Sequence, residues 1–299
     1  MNKTVLITGT SSGLGRATAK LFQSRGWNVV ATMRAPDREN ELTRLERALV
    51  TRLDVQDPAS IQSAIDAGIA KFGRIDALVN NAGYGAYGPL EATPLEKIQR
   101  QFDVNVLGLL ATTRAVLPHF RANRAGTVVN ISSMGGRIAF PLGTLYHGTK
   151  FAVEGLSESL HYELSTFGVR VKLIEPGMIK TDFGGRSFDF SNDPKLTEYQ
   201  PLVQQLMGVL GPLMEKASTP QSIAEIVYTA VMDGSDRLRY EAGPDAAQML
   251  SHRRAADDAT FMAGVSQQFG IDTARALPAR SQVQSPASQS SQISSLNRF

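Results

Sequence analysis

With 299 residues, 42% of them hydrophobic and 20% charged, the chain carries enough apolar material for a sizeable core and is not disordered as a whole. It has no cysteine, which excludes disulfides, thiolate metal sites and a cysteine nucleophile, and its four histidines show no pair at metal-ligand spacing, so no metal is expected. The net charge of +3, from 31 basic and 28 acidic residues, is too small on this length for a nucleic-acid footprint.

Short β-branched runs alternate with segments of helical period, the pattern of βαβ units and a parallel sheet. Met1-Asn2-Lys3 leads straight into a strand over 4–8, too short an apolar run for a secretory signal. No window reaches the about 18 apolar residues of a membrane span either, so a cytoplasmic protein with no membrane partner is expected. The strand ends in Thr8-Gly9-Thr10-Ser11-Ser12-Gly13-Leu14-Gly15 and a helix follows over 13–25. Without side chains at Gly9, Gly13 and Gly15 the backbone can turn tightly and approach a pyrophosphate, while the helix N-terminus offers its free N–H groups to the anion. The loop, with Ser11, Ser12 and Leu14, therefore reads as a dinucleotide cradle.

A second strand over 28–33 ends in Ala31-Thr32-Met33-Arg34. An acid at that end would bind a ribose 2′-hydroxyl and repel a 2′-phosphate; none is present. Arg34 can pair bidentately with a phosphate and Ser11 can add a donor, which predicts a preference for NADP(H). The alternative is a solvated Arg34 and an enzyme that also accepts NAD(H). Further strands are expected over 50–53, 77–80, 127–131, 170–175 and 238–241, and helices over 59–72, 95–121 and 144–167. Asn105 interrupts the third of these four helical patterns where a better helix former would be expected. The run 184–190 reads as a mobile loop, and residues 178–232 as a segment covering a substrate. A helical stretch follows over 244–269, so that one domain spans 1–278. The Ser- and Gln-rich residues 279–299 read as a disordered tail.

Reducing a carbonyl by hydride leaves charge on oxygen, so a site needs a donor and a proton source there. Tyr146 can supply the proton, and Lys150 lies one helical turn along the same face, where its ammonium would favour the phenolate. A Tyr and Lys at this spacing are also an ordinary helix-surface pair. Ser132 and Ser133 compete for the strand-end hydroxyl that would orient a substrate, and His147 reads as structural.

Three motifs occur in one order: T-G-x-x-x-G-x-G at Thr8 to Gly15, Asn80-Asn81-Ala82-Gly83, and Tyr146-His147-Gly148-Thr149-Lys150. Together they resemble the classical short-chain dehydrogenase/reductase family over roughly residues 3–240. The resemblance implies an α/β fold, a Rossmann-type doubly wound parallel sheet of about seven strands with helices on both faces. It implies Ser133, at the family's thirteen-residue separation from Tyr146, as the substrate-orienting hydroxyl, and Asn105 as a helix-distorting residue that holds a water behind Lys150. It also implies cofactor contacts from Asp54, Asn80, Ala82, Gly83, and from Pro176-Gly177-Met178-Ile179-Lys180-Thr181, where Ile179 gives backbone groups and Thr181 a hydroxyl. A helix cap at Asp54 and a structural role for Asn105 remain alternatives. The chain resembles the branch that includes hydroxysteroid and retinol dehydrogenases, which implies a small hydrophobic carbonyl or alcohol substrate and a homodimer or homotetramer. The rivals are an extended-type epimerase or dehydratase, whose motif spacing differs, and a dinucleotide-sensing regulator, which would be expected to lose the tyrosine or lysine.

Overall fold

The four residues of the first strand, β1 (Thr4–Ile7), are buried on both faces, as a central strand of a parallel sheet must be. The computed structural model describes residues 2–180 and 187–271. In chain order it continues with α1 (Gly13–Ser24), β2 (Asn28–Met33), β3 (Ala48–Arg52), α2 (Pro58–Phe72), β4 (Ala77–Asn80), β5 (Gly85–Tyr87) and α3 (Leu95–Phe102). Then come α4 (Gly108–Asn123), β6 (Gly126–Ile131), α5 (Thr144–Ser165), β7 (Val169–Pro176) and β8 (Phe188–Phe190). The last elements are α6 (Gln200–Glu215), α7 (Pro220–Met232), β9 (Arg239–Ala242), α8 (Pro244–Ala255) and α9 (Asp258–Gln268). Seven strands form one parallel sheet in the order β3-β2-β1-β4-β6-β7-β9, a single Rossmann-type domain whose strand order reverses between β1 and β4.

Each sheet face has its own core. On one, Phe22 of α1 meets Trp27 and Tyr228 edge-on and packs with Ile223 and Val227 of α7. On the other, Ile61 and Ile65 of α2, Phe120 of α4 and Leu164 of α5 cover Leu6, Leu78 and Val128. Each fully buried side chain of this kind contributes about 1.5–3 kcal/mol relative to exposure. Local signals set the helix ends. Asp57 caps α2 by accepting from Ala59 N at 3.1 Å and Ser60 N at 3.3 Å, Pro58 opens the helix, and Gly73 (φ +83°) ends it.

Three segments depart from the expected pattern. The helix expected over 95–121 is two helices, α3 and α4, joined by a π-helical turn, Asp103–Leu107, with Asn105 buried inside it. The expected loop over 184–190 is in part a strand: β8 pairs in parallel with β5, Gly85 opposite Phe188 and Tyr87 opposite Phe190, with the Phe188 ring against Tyr87 and Phe190. Residues 184–186 of that expectation, and the tail over 279–299, lie outside the described residues. The helical stretch over 244–269 breaks at Ala256 (φ −111°, ψ 145°), after which Asp257 caps α9 by accepting from Thr260 N at 2.8 Å. Among the described residues no helix is long and apolar enough to cross a membrane.

Candidate active site

A cleft of about 600 Å³ opens along the C-terminal ends of the strands, at the reversal of strand order. Gly9, Ser11, Ser12, Gly13, Leu14 and Gly15 form one wall. Gly9 (φ +72°) and Gly13 (φ +54°) hold left-handed backbone, and a Cβ on Gly15 would stand 2.3 Å from Gly9 O. Ser12 occupies the N-cap of α1 without a side-chain cap bond, which leaves the first-turn N–H groups to an external acceptor. Bare backbone at a helix N-terminus fits a dinucleotide pyrophosphate.

The loop is stitched to β4 by a residue to which the sequence reading gave no role. Asn81 Nδ2 donates to Thr8 O at 2.8 Å and Gly9 O at 3.1 Å, while Thr8 Oγ1 accepts from Asn81 N and Ala82 N. Asn80, expected against the adenosine, is placed otherwise. Its neighbour takes the cleft side, and Asn80 turns into the interior, where Nδ2 donates to Thr113 Oγ1 at 2.8 Å and Asn130 Oδ1 at 2.9 Å. Successive residues sharing opposite sides was the available signal; the motif alone did not say which asparagine faces the cleft.

Arg34 lies exposed at the end of β2, lines the cleft and has no ion-pair partner among the described residues. Asp54 also lines the cleft, and its Oδ1 accepts from Gln56 N at 3.1 Å, so local capping uses one of its oxygens. Ala82 and Gly83 complete that side; a Cβ on Gly83 would stand 3.1 Å from Asn105 Oδ1. Pro176, Gly177 and Ile179 border the cleft at the end of β7. Gly177 N donates to Ala242 O at 3.1 Å and Met178 N to Asp245 Oδ2 at 2.7 Å, so the C-terminal segment fixes this turn. Thr181 lies outside the described residues.

Ser133, Tyr146 and Lys150 meet at the ends of β6 and α5. Ser133 Oγ accepts from Gly135 N at 3.0 Å and hydrogen-bonds Tyr146; Ser132 Oγ is buried with no hydrogen-bond partner among the described residues. Lys150 Nζ donates to Ile131 O at 2.8 Å and lies 5.8 Å from the centre of the Tyr146 ring. Burial pushes the Lys150 ammonium down to about 8, with the Glu154 carboxylate opposing. Burial likewise pushes the Tyr146 phenol up, and the Ser133 hydrogen bond opposes it. Burial of the phenol thus opposes the acidification expected from Lys150, whose ammonium is itself desolvated.

Asn105 does not line the cleft. Its Nδ2 donates to Tyr84 O at 2.8 Å and Thr149 Oγ1 at 3.2 Å, and its Oδ1 accepts from Tyr84 N at 3.1 Å. The π-turn that these bonds hold open ties the start of α5 to the chain leaving β4. His147 has a structural place too: Nε2 accepts from Phe140 N at 3.1 Å, which leaves Nδ1 to donate to Gly135 O at 2.9 Å. Tyr87, which the sequence did not single out, stacks on Tyr146 with ring centres 5.3 Å apart and meets Phe188 at 5.3 Å. No periodic signal marked it, because β5 is three residues long. Among the described residues no cluster of three or more His, Asp or Glu could hold a metal.

The profile of the short chain dehydrogenase family matches residues 3–191. An oxidoreductase of Schizosaccharomyces pombe is 44% identical over 239 residues, 80% of this chain and 100% of that protein. Human 17-beta-hydroxysteroid dehydrogenase type 1 is 34% identical over 251 residues, 79% of this chain and 76% of that one. Among solved structures, a short-chain dehydrogenase from Streptomyces avermitilis is similar with a TM-score of 0.76 at 33% identity, covering 91% of this chain and 98% of that one.

Proposed function

The chain belongs to the short-chain dehydrogenase family and is an NAD(P)-dependent oxidoreductase, and we propose that it interconverts a hydrophobic ketone or aldehyde and its alcohol with a preference for NADP(H). The observation that carries this reading is the meeting of Ser133, Tyr146 and Lys150 beside the glycine cradle. Arg34, open to the cleft and unpaired among the described residues, supports recognition of a 2′-phosphate. Glu39 does not line the cleft, and its carboxylate is engaged by Arg16 and by the amides of Glu41 and Leu42. Tyr87, Phe140, Phe188, Phe190 and Met214 support an apolar substrate, as does the similarity to a hydroxysteroid dehydrogenase.

A bound nicotinamide supplies or accepts the hydride. Ser133 Oγ orients the substrate oxygen, and Tyr146 Oη delivers the proton in reduction and removes it in oxidation. Lys150, held at Ile131 O, stands beside Tyr146 as the cation that steadies the phenolate. Asn105 acts behind Lys150, through the turn it holds against Thr149 and through a water that replaces the proton. A homodimer or homotetramer is part of the same proposal, supported by exposed Leu95 on α3, Leu107 in the turn between α3 and α4, and Phe151 on α5.

The test is consumption of NADPH and, separately, NADH at equal concentration with a panel of hydrophobic ketones and aldehydes. Tyr146→Phe is expected to lower turnover by about 10²–10⁴-fold while the protein stays folded. A clear preference for NADH would sink the cofactor assignment. Tight dinucleotide binding with no turnover on any substrate would favour the sensing regulator.

A further inference from the structure

Behind the catalytic side of α5 lies a buried charged cluster that the reaction above does not use. Glu154 stands one helical turn beyond Lys150 on the same face and is 4% exposed. One of its oxygens accepts from Arg239 Nε at 2.9 Å; the other, Oε1, is buried with no hydrogen-bond partner among the described residues. Arg239 also donates to Glu158 at 2.6 Å and lies 3.7 Å from Glu175, which Arg137 reaches at 3.3 Å. The packing that brings this cluster forward depends on Gly136. A Cβ there would stand 2.8 Å from Ser132 Oγ and 2.9 Å from both Glu154 Cγ and the Lys150 carbonyl oxygen.

We propose that Glu154 is a positioning residue for the reaction: its carboxylate, anchored by Arg239, lies one helical turn behind Lys150 and keeps that lysine charged in its half-buried place beside Tyr146. The proposal rests on the role assigned to Lys150. Three carboxylates, Glu154, Glu158 and Glu175, meet two guanidiniums, Arg137 and Arg239, so the cluster holds one negative charge in excess when all are ionised. Even a partly buried lysine such as Lys150 loses its charge more readily unless a carboxylate answers it. Tyr146 and Glu154 lie one helical turn to either side of Lys150 on α5, and the Ile131 carbonyl of β6 accepts from its ammonium. The groups facing Glu154 are Arg239 from β9, Glu175 from β7 and Glu158 from its own helix, with Arg137 beyond Glu175. The directions agree: burial pushes Lys150 down and Glu154 pulls it back up, while burial and Glu154 together push Glu175 up to about 7.

The experiment follows the side-chain ¹³C signal of Lys150 in the full chain across pH, assigned by its loss in Lys150→Arg, alongside the pH profile of kcat/KM for reduction. Glu154→Gln is expected to lower the Lys150 midpoint by about one pH unit and to move the alkaline limb the same way. Glu154→Asp keeps the charge and is expected to restore both. If Glu154→Gln does not fold, Glu154→Met removes the carboxylate with a side chain suited to the buried position while Arg239 keeps Glu158 and Glu175 as partners, and the midpoint still falls. An unchanged midpoint in a folded variant overturns the proposal and leaves Glu154 a structural anchor. Because the titration is read without turnover, a missing reductase activity would refute the reading of the site and leave the effect of Glu154 on Lys150 separately decided.

Discussion

The two walls of the cleft are built from different materials. The cradle wall is main chain: glycines in left-handed backbone, a helix N-terminus, and Asn81 holding the loop through two carbonyls. The wall opposite is side chain: Tyr87, Phe140, Phe188 and Phe190, carried largely by two three-residue strands, β5 and β8. A phosphate cradle needs one backbone shape, so almost every substitution that changes it removes it. An aromatic wall can exchange one ring for another without moving the backbone, and substrate choice can vary on an unchanged sheet.

If this contrast holds, the largest effect comes from the smallest substitution. Gly15→Ala would place its methyl 2.3 Å from Gly9 O and 2.5 Å from Asn81 Nδ2, and neither is a flexible side-chain end free to retreat. Overpacking of this kind costs about 1–3 kcal/mol, and because it reshapes the cradle itself, dinucleotide affinity measured by fluorescence titration should fall by at least about tenfold. Near-normal affinity would mean that side chains, not the main chain, hold the cofactor. Tyr87→Ala probes the other wall. It removes a ring stacked on Tyr146 and should raise KM for a hydrophobic ketone by about tenfold, with KM for NADPH changed less than about twofold. Equal changes in both would erase the distinction between the walls.

The same difference decides what the sequence made legible. Gly9, Gly13 and Gly15 could be read because backbone that approaches an anion demands glycine at fixed spacing, and the sheet could be read because parallel strands are apolar on both faces. Asn105 could be read as a misfit in a helical pattern, and a π-turn stands there. Asn80 was misplaced because the motif names two adjacent asparagines and only the pleat tells which one enters the cleft. Tyr87 and the pairing of β5 with β8 had no local signal at all. They form across about a hundred residues of chain, through contacts that exist only once both segments are folded. The direction of the Tyr146 shift is of the same kind, since desolvation depends on everything packed around the phenol.

The smallest effect is the sharpest test of how the aromatic wall is held. Lys97 of α3 reaches Asp189 of β8 at 2.6 Å, joining the covering strand to the body of the protein beside its short ladder with β5. Both side chains are partly exposed, 34% and 25%, so solvent weakens the pair and its worth is about 0.2–1 kcal/mol. Lys97→Met keeps most of the apolar stem and removes the charge. KM for the carbonyl substrate should then rise by no more than about fivefold, with the loss shrinking at high salt in the wild type, and NADPH binding should not change. A larger loss would mean that this one ion pair, rather than the ladder and the stacked rings, holds β8 over the cleft.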